Sequence, residues 1–231
     1  MTKRPQEQEM PKTVVLFSGG VESTVVAHQL SREGHELRLL AIDYGQRHRR
    51  EHEFARIIAE GLGASFRVID IRQVGGLLPG NSLTDDKVAV PDYDPAIRGR
   101  EFVVPNRNAI LLSIAFAVAV AEQADQVAIG SIAGDAQTGD CTREFLLAFN
   151  TMERVATAEL APAGLSVVAP LIDMQKADVI RLGESLGVRW QETWSCFRGG
   201  EKQCGTCATC YDRRTAFAKA EVMDPTEYAR D

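Results

Sequence analysis

The sequence predicts an α/β protein: a doubly wound, mostly parallel sheet with helices on both faces, plus a small zinc-binding C-terminal lobe. Two patterns point to the sheet. Short apolar, β-branched runs alternate with helical patterns along most of the chain, as expected where crossover helices join parallel strands. The first of these runs ends in a glycine turn that leads straight into a helix, "FSGGVES". The lobe is indicated by four of the five cysteines, which crowd between Cys196 and Cys210.

The elements follow in order. "TVVLF" (13–17) is a buried strand, and the next helix lays Val21, Val25, Val26 and Leu30 on one stripe before ending at Gly34. "LRLLAIDY" (37–44) is the second strand, 47–62 the second helix, closed by Gly63, and "FRVIDI" (66–71) the third strand. Residues 72–105 carry glycines and prolines without periodicity; a loop this long is usually functional, and 72–100 are read as a lid. A helix over 106–123, a strand over 126–130 and a helix near 142–158 restore the alternation. A strand over 166–170 and a helix over 174–186, capped by Asp173, complete it, with a last helix over 211–220. Three regions result: a flexible tail (1–12), the α/β domain (13–190) and the lobe (191–231).

With 231 residues, 45% of them hydrophobic, the chain can bury one core with a small appendage. A net charge of −6 fits a soluble, cytoplasmic protein and gives no electrostatic reason to expect direct nucleic-acid binding. "AILLSIAFAVAVA" (109–121) suits a buried helix better than a membrane span. The polar "MTKRPQEQEM" lacks the apolar stretch of a secretion signal.

In a parallel sheet, ligands sit beyond the carboxyl ends of the strands, where Ser18-Gly19-Gly20 lies. Glycines let the backbone approach an anion, and the free amides of the first helical turn point at it. Ser18 and Ser23 add hydroxyls. "SGGVES" does not supply a dinucleotide fingerprint, and the nearest match to a Walker loop, "GGLLPGNS" (75–82), has Asn81 in place of the lysine. Cys196, Cys204, Cys207 and Cys210 have the spacing C-x7-C-x2-C-x2-C, which suits a tetrahedral zinc whose closed thiolate shell makes it structural. An iron–sulfur cluster also takes four thiolates. Cys141 stands apart.

The loop resembles the "SGG-x-D-S" pyrophosphatase loop of the N-type ATP pyrophosphatases. "DYGQRHRRE" (43–51), "FVVPNRN" (102–108), "GDCTREF" (139–145), "PLIDMQKADVI" (170–180) and "TWSCFRGGEKQCGTCATC" (193–210) follow in order. Together these motifs resemble the 7-cyano-7-deazaguanine synthase family of queuosine biosynthesis, over about residues 13 to 214. The resemblance implies an ATP-dependent C–N ligase that turns 7-carboxy-7-deazaguanine and ammonia into the nitrile, through adenylated carboxylate and amide, releasing AMP and pyrophosphate.

It further implies that Ser18, Gly19, Gly20, Glu22, Ser23, Thr24 and Asp43 contact ATP, with Mg2+ bridging its phosphates. Ser18, Lys176 and Arg107 are the expected catalytic groups, Lys176 and Arg107 as cations. Gln46, Arg47, Asp140 and Arg143 are expected to meet the deazapurine acid. His48 and His52, spaced i, i+4, read as a solvated helix face, because two histidines alone make a poor zinc site. A homodimer is implied as well. An alternative within the same chemistry is a paralogue handing the activated acid to another amine, such as one on a protein. Related enzymes that thiolate tRNA would need a reactive cysteine, and only Cys141 is free.

Three departures stand out. The loop aspartate is Glu22, the glycine of "V-P-G-R-N" is Asn106, and the aromatic and proline of "S-G-Y-P-D-C-R" are missing from "AQTGDCTRE" (136–144). Asn tolerates left-handed backbone best after glycine, so the turn at 106 can survive.

Overall fold

A computed structural model describes residues 10–96 and 102–230. Five strands, β1 (Lys12–Leu16), β2 (Glu36–Asp43), β3 (Ser65–Asp70), β4 (Gln126–Ala128) and β5 (Ser166–Val168), form one sheet in the order β3-β2-β1-β4-β5. Every pairing is parallel, with Val14 opposite both Arg38 and Val127. The helices are α1 (Val21–Arg32), α2 (Glu51–Gly61), α3 (Arg72–Gly76), α4 (Arg107–Ala121), α5 (Arg143–Ala156), α6 (Lys176–Leu186) and α7 (Ala208–Ala220).

The two-residue alternation of β1 divides the core. Val15 and Phe17 face a layer built from α1, α2, α6 and α7, while Val14 and Leu16 face α4 and α5. Both faces are therefore covered, which is why these strands read as continuous apolar runs. The chain winds outward from β1 through β2 to β3, then returns to place β4 on the other side of β1. The loops after β1 and β4 consequently diverge and open a crevice.

Four local readings change. The 174–186 helix starts at Lys176 with Gln175 at its N-cap. Asp173 caps nothing; it pairs with Arg143 across to α5. The last helix begins at Ala208, directly after Cys207. The second begins at Glu51, because residues 47–50 form turns. Of the expected tail, residues 1–9 lie outside the described residues, and Lys12 already belongs to β1.

The irregular segment after β3 packs on the cysteine lobe. Arg47 donates to the carbonyls of Asp85 (3.0 Å) and Val88 (2.9 Å). Arg198 donates to the Val90 carbonyl and meets Asp92 at 2.8 Å, and the Tyr93 amide donates to Thr206 O at 2.7 Å. The end of the expected lid, 97–100, lies outside the described residues. The lobe is continuous with the main body: α7 buries Ala216, Phe217 and Ala220 in the same cluster as Trp190 and α6.

Candidate active site

Two glycines set the crevice. Gly19 has φ +76°, and a Cβ there would lie 2.8 Å from the Ala55 amide nitrogen, so only glycine lets the loop lie against α2. Gly130, after β4, would drive a Cβ to 2.9 Å from the Ser23 amide nitrogen at the start of α1. Gly20 is the N-cap of α1 with no side-chain cap, so the amides of the first turn keep no side-chain acceptor. Ser18 Oγ and Ser23 Oγ lie 3.3 Å apart beside them.

The loop borders a cavity of about 360 Å³, a size usual for a small-molecule site. Ser18, Gly20, Glu22 and Ser23 line one side, Arg107 and Asp135 another, and Lys176 the N-terminus of α6. Tyr44, Trp194 and Phe197 add aromatic surface.

Charge is concentrated here. Lys176 Nζ lies 3.0 Å from Glu22 Oε1 and 2.6 Å from Asp212 Oδ2. Burial works against the ammonium, but the two carboxylates outweigh it and raise its pKa. Arg107 keeps its charge likewise: burial opposes it, while the Tyr44 hydroxyl, Cys141 and Asp140 favour it more. Asp135 accepts from the Ile132 amide at 3.0 Å, and burial, with Glu22 nearby, lifts its carboxyl above the ordinary range. Asn106, just before Arg107, adopts the left-handed conformation at φ 58°, so the turn survives its change from glycine.

Other sequence-selected residues frame the cavity without lining it. Gly19 acts through its close approach to α2. Thr24 is buried under the loop, its Oγ1 without a hydrogen-bond partner among the described residues. Asp43 accepts from the Gly45 amide and lies 3.7 Å from Arg49 and 3.8 Å from Arg72. Gln46 is fully buried, accepting from the Tyr44 amide and donating to the Ile42 carbonyl and Glu51. Arg47 ties down the segment after β3. Asp140 accepts from the Asn108 amide at the start of α4. Arg143 pairs with Asp173 on the exterior.

The reading of His48 and His52 as a solvated face is corrected. His48 is 6% exposed, and both rings line the cavity on either side of Glu51. Burial, reinforced by Arg107, takes His48 down to about 3, so its ring is neutral. Burial also carries the Glu51 carboxyl up to about 8. Glu51 and Asp135 escaped sequence reasoning altogether; Glu51 stood inside a quoted motif, but its place on the cavity wall, where α2 starts beside Gly19, is a tertiary feature.

The four clustered cysteines are buried, and their sulfurs lie within 4.8 Å of one another, with Cys204 and Cys210 at 3.8 Å. A tetrahedral ion with ~2.3 Å bonds to sulfur fits that spacing. The amides of Arg198 and Cys204 donate to Cys196 Sγ, and those of Thr206 and Cys207 to Cys204 Sγ. Such donors stabilise thiolates. Contact with Cys207, and burial, push the Cys196 thiol up to about 12, so a cation is what would release its proton at neutral pH. The donor set therefore fits a metal ion. Cys141 lies elsewhere, against Asn108 Nδ2 at 3.1 Å.

The parallel sheet places a glycine loop at its switch point, with a lysine and an arginine across one cavity, the arrangement of a small-molecule site in an open α/β fold. The chain belongs to the QueC family, described as queuosine biosynthesis protein QueC, whose model matches residues 12–221. It is 46% identical to a 7-cyano-7-deazaguanine synthase of Ruegeria sp. (strain TM1040), covering 94% of this chain and 93% of the relative. A protein of the same name from Rhizobium johnstonii is 44% identical, covering 94% and 92%.

Among solved structures, an NMN synthetase from Francisella tularensis superposes with a TM-score of 0.53 at 15% identity, covering 93% of this chain and 79% of that one. An NH3-dependent NAD synthetase from Campylobacter jejuni gives 0.50 at 14%, covering 80% and 67%. Both likenesses concern the fold. No described helix is long and apolar enough to cross a membrane.

Proposed function

We propose that this chain is a 7-cyano-7-deazaguanine synthase, converting 7-carboxy-7-deazaguanine and ammonia to the nitrile at the expense of two ATP. The observation that carries the reading is the shared cavity: the uncapped glycine loop, Lys176 and Arg107 all face it, together with aromatic surface. A carboxylate is a poor acylating agent because its oxygens leave badly. Transfer to AMP supplies a leaving group, ammonia displaces it to give the amide, and a second adenylation on the amide oxygen lets the nitrile form.

In this reading Ser18, Gly20 and Ser23 bind the departing pyrophosphate with hydroxyls and first-turn amides. Lys176 neutralises it, and Arg107 holds the acid's carboxylate or the α-phosphate bidentately. Glu22 and Asp135 are the carboxylates able to hold Mg2+, which would neutralise phosphate charge. Tyr44 and Phe197 supply the stacking surface that 136–144 lacks. Cys196, Cys204, Cys207 and Cys210 hold one structural zinc.

Cys141 gives no support to thiol chemistry, since burial pushes it up to about 12. The test is incubation with the acid and ATP in the presence and absence of ammonium. AMP and pyrophosphate formation that depends on the acid supports the reading; ATP turnover indifferent to the acid would contradict it.

A further inference from the structure

Resting on that reading, we propose that Glu51, flanked by His48 and His52 and set near Arg107, is the site that captures ammonium and takes its proton. The proposed reaction consumes ammonia, yet at neutral pH nearly all of it in water is ammonium, which has no lone pair for attack. A site for it needs acceptors in a sheltered place, one of them basic enough to take a proton and acidic enough to lose it again.

The β2–α2 junction has these features. Glu51 is the first residue of α2, where the turn over 47–50 delivers it into the cavity wall. Its Oε1 accepts from Gln46 Nε2 at 3.0 Å, and Gln46 is itself fixed by the Ile42 carbonyl and the Tyr44 amide. His48 Nε2 lies 3.7 Å from Glu51 Oε2, and His52 Nε2 lies 3.9 Å from Oε1, both beyond hydrogen-bond reach. His48 is buried, lines the cavity, and has no hydrogen-bond partner for Nδ1 among the described residues. One Glu51 oxygen therefore lacks a bonded donor in this set, beside an unsatisfied imidazole.

The charges facing Glu51 are those of Arg107 from α4 and Asp43 from β2, with Tyr44, His48 and His52 as further titratable neighbours. Burial raises the carboxyl most; the Gln46 hydrogen bond and Arg107 pull it down, Asp43 pushes it up, and it settles at about 8. A base of that strength exchanges a proton with ammonium at small cost in either direction. Arg107, which is proposed to hold the acid's carboxylate or the α-phosphate, lines the same cavity as Glu51, so both substrates of the step share one chamber.

The step balances. Ammonium gives one proton to a Glu51 oxygen. The freed lone pair forms the C–N bond, and the C–O bond to AMP breaks with its electrons leaving on the phosphate oxygen. A second proton leaves nitrogen for the AMP phosphate or water, giving the amide. Glu51 then returns its proton to water at the cavity mouth.

The test uses the full-length enzyme with ATP, magnesium, the acid and ammonium chloride, comparing Glu51→Gln with the unaltered protein. In Glu51→Gln, kcat/KM for ammonium is expected to fall by ~10²-fold, while KM for the acid shifts by no more than ~2-fold. Acid-dependent pyrophosphate release in a single turnover without ammonium, which reports adenylation alone, should persist. The unaltered protein's kcat/KM for ammonium should rise with pH and break near 8, whereas the variant should follow the free ammonia concentration with no such break.

Should Glu51→Gln fail to fold, Glu51→Asp carries the test: it keeps a base, and is expected to retain the pH break with a raised KM for ammonium. A rise in KM for the acid alone would show that Glu51 reads the heterocycle and would overturn the proposal. So would an unchanged ammonium dependence. Loss of acid-dependent AMP formation in the unaltered protein would remove the parent reading instead, and this inference with it.

Discussion

Glu22 Oε1 lies 3.0 Å from Lys176 Nζ, joining the first turn of α1 to the first turn of α6 beside the glycine loop. Asp212 of α7 holds the same ammonium from the other side at 2.6 Å. Glu22 reaches that lysine with one methylene more than an aspartate would offer. Glu22→Asp draws the carboxylate back by ~1 Å and is expected to lower the rate of acid-dependent AMP release by ~10-fold. Lys176→Met removes a cation facing the leaving group and is expected to cost ~10²-fold or more. Quench-flow measurement of AMP checks both; equal, near-native rates would show that the pair is only structural.

Gly130 fixes the distance between the β4 loop and the start of α1. Gly130→Ala would place a Cβ 2.9 Å from the Ser23 amide nitrogen and 3.1 Å from the Glu22 carbonyl carbon, both backbone atoms that cannot swing aside. Weakened ATP binding is expected, by ~10-fold or more, with a loss of ~1–3 kcal/mol in stability from the forced backbone shift. Calorimetric titration with a non-hydrolysable ATP analogue and urea unfolding report the two effects separately.

Glu51 makes stability depend on pH. Its folded value is about 8, against 4.5 for the ordinary group, so between these values the folded chain keeps a proton that the unfolded chain has lost. The stabilisation linked to that proton is full below pH ~4.5, declines as pH rises and is gone above pH ~8. Glu51→Gln carries no titrating group and is expected to show a flatter decline over the same window. Urea midpoints at intervals across it check this; parallel curves for the two proteins would contradict it.

Metal removal is expected to loosen the wall of the cavity as well as the lobe. Trp194, Ser195, Phe197 and Thr209 line the cavity and are neighbours in sequence of the cysteine ligands, and the Trp194 indole donates to the Cys196 carbonyl at 2.9 Å. Elemental analysis should find one zinc per chain. Chelation is expected to lower Tm by about 10 °C or more and to shift Trp fluorescence, at roughly 2–4 °C per kcal/mol for a chain of this size. Visible absorption that bleaches on chelation would instead indicate an iron–sulfur cluster.

The alternating strands and helices were legible because burial on both sheet faces writes itself as apolar runs, and the cysteine cluster, able to hold a metal ion, because its members are close in sequence. Asn106 was readable too, its left-handed turn resting on a local backbone preference. Helix starts were not: Asp173 looks like a cap but is drawn off by Arg143 on another helix. The cavity's acid and imidazoles were hidden for a similar reason. His48 and His52 have the spacing of a solvated helix face, but the start of α2 packs against Gly19 and both rings line the cavity. Gln46 and Arg47 sit in the right motif, yet Gln46 bonds to the end of β2 and to Glu51, and Arg47 to the segment after β3.

Mass-spectrometric product analysis tests the proposed activity most directly, using purified protein with ATP, magnesium, 7-carboxy-7-deazaguanine and ammonium. The expected result is 7-cyano-7-deazaguanine with two AMP formed per nitrile, the amide appearing first and then decaying. AMP release that stops at the amide, or no AMP at all with this acid, would contradict it.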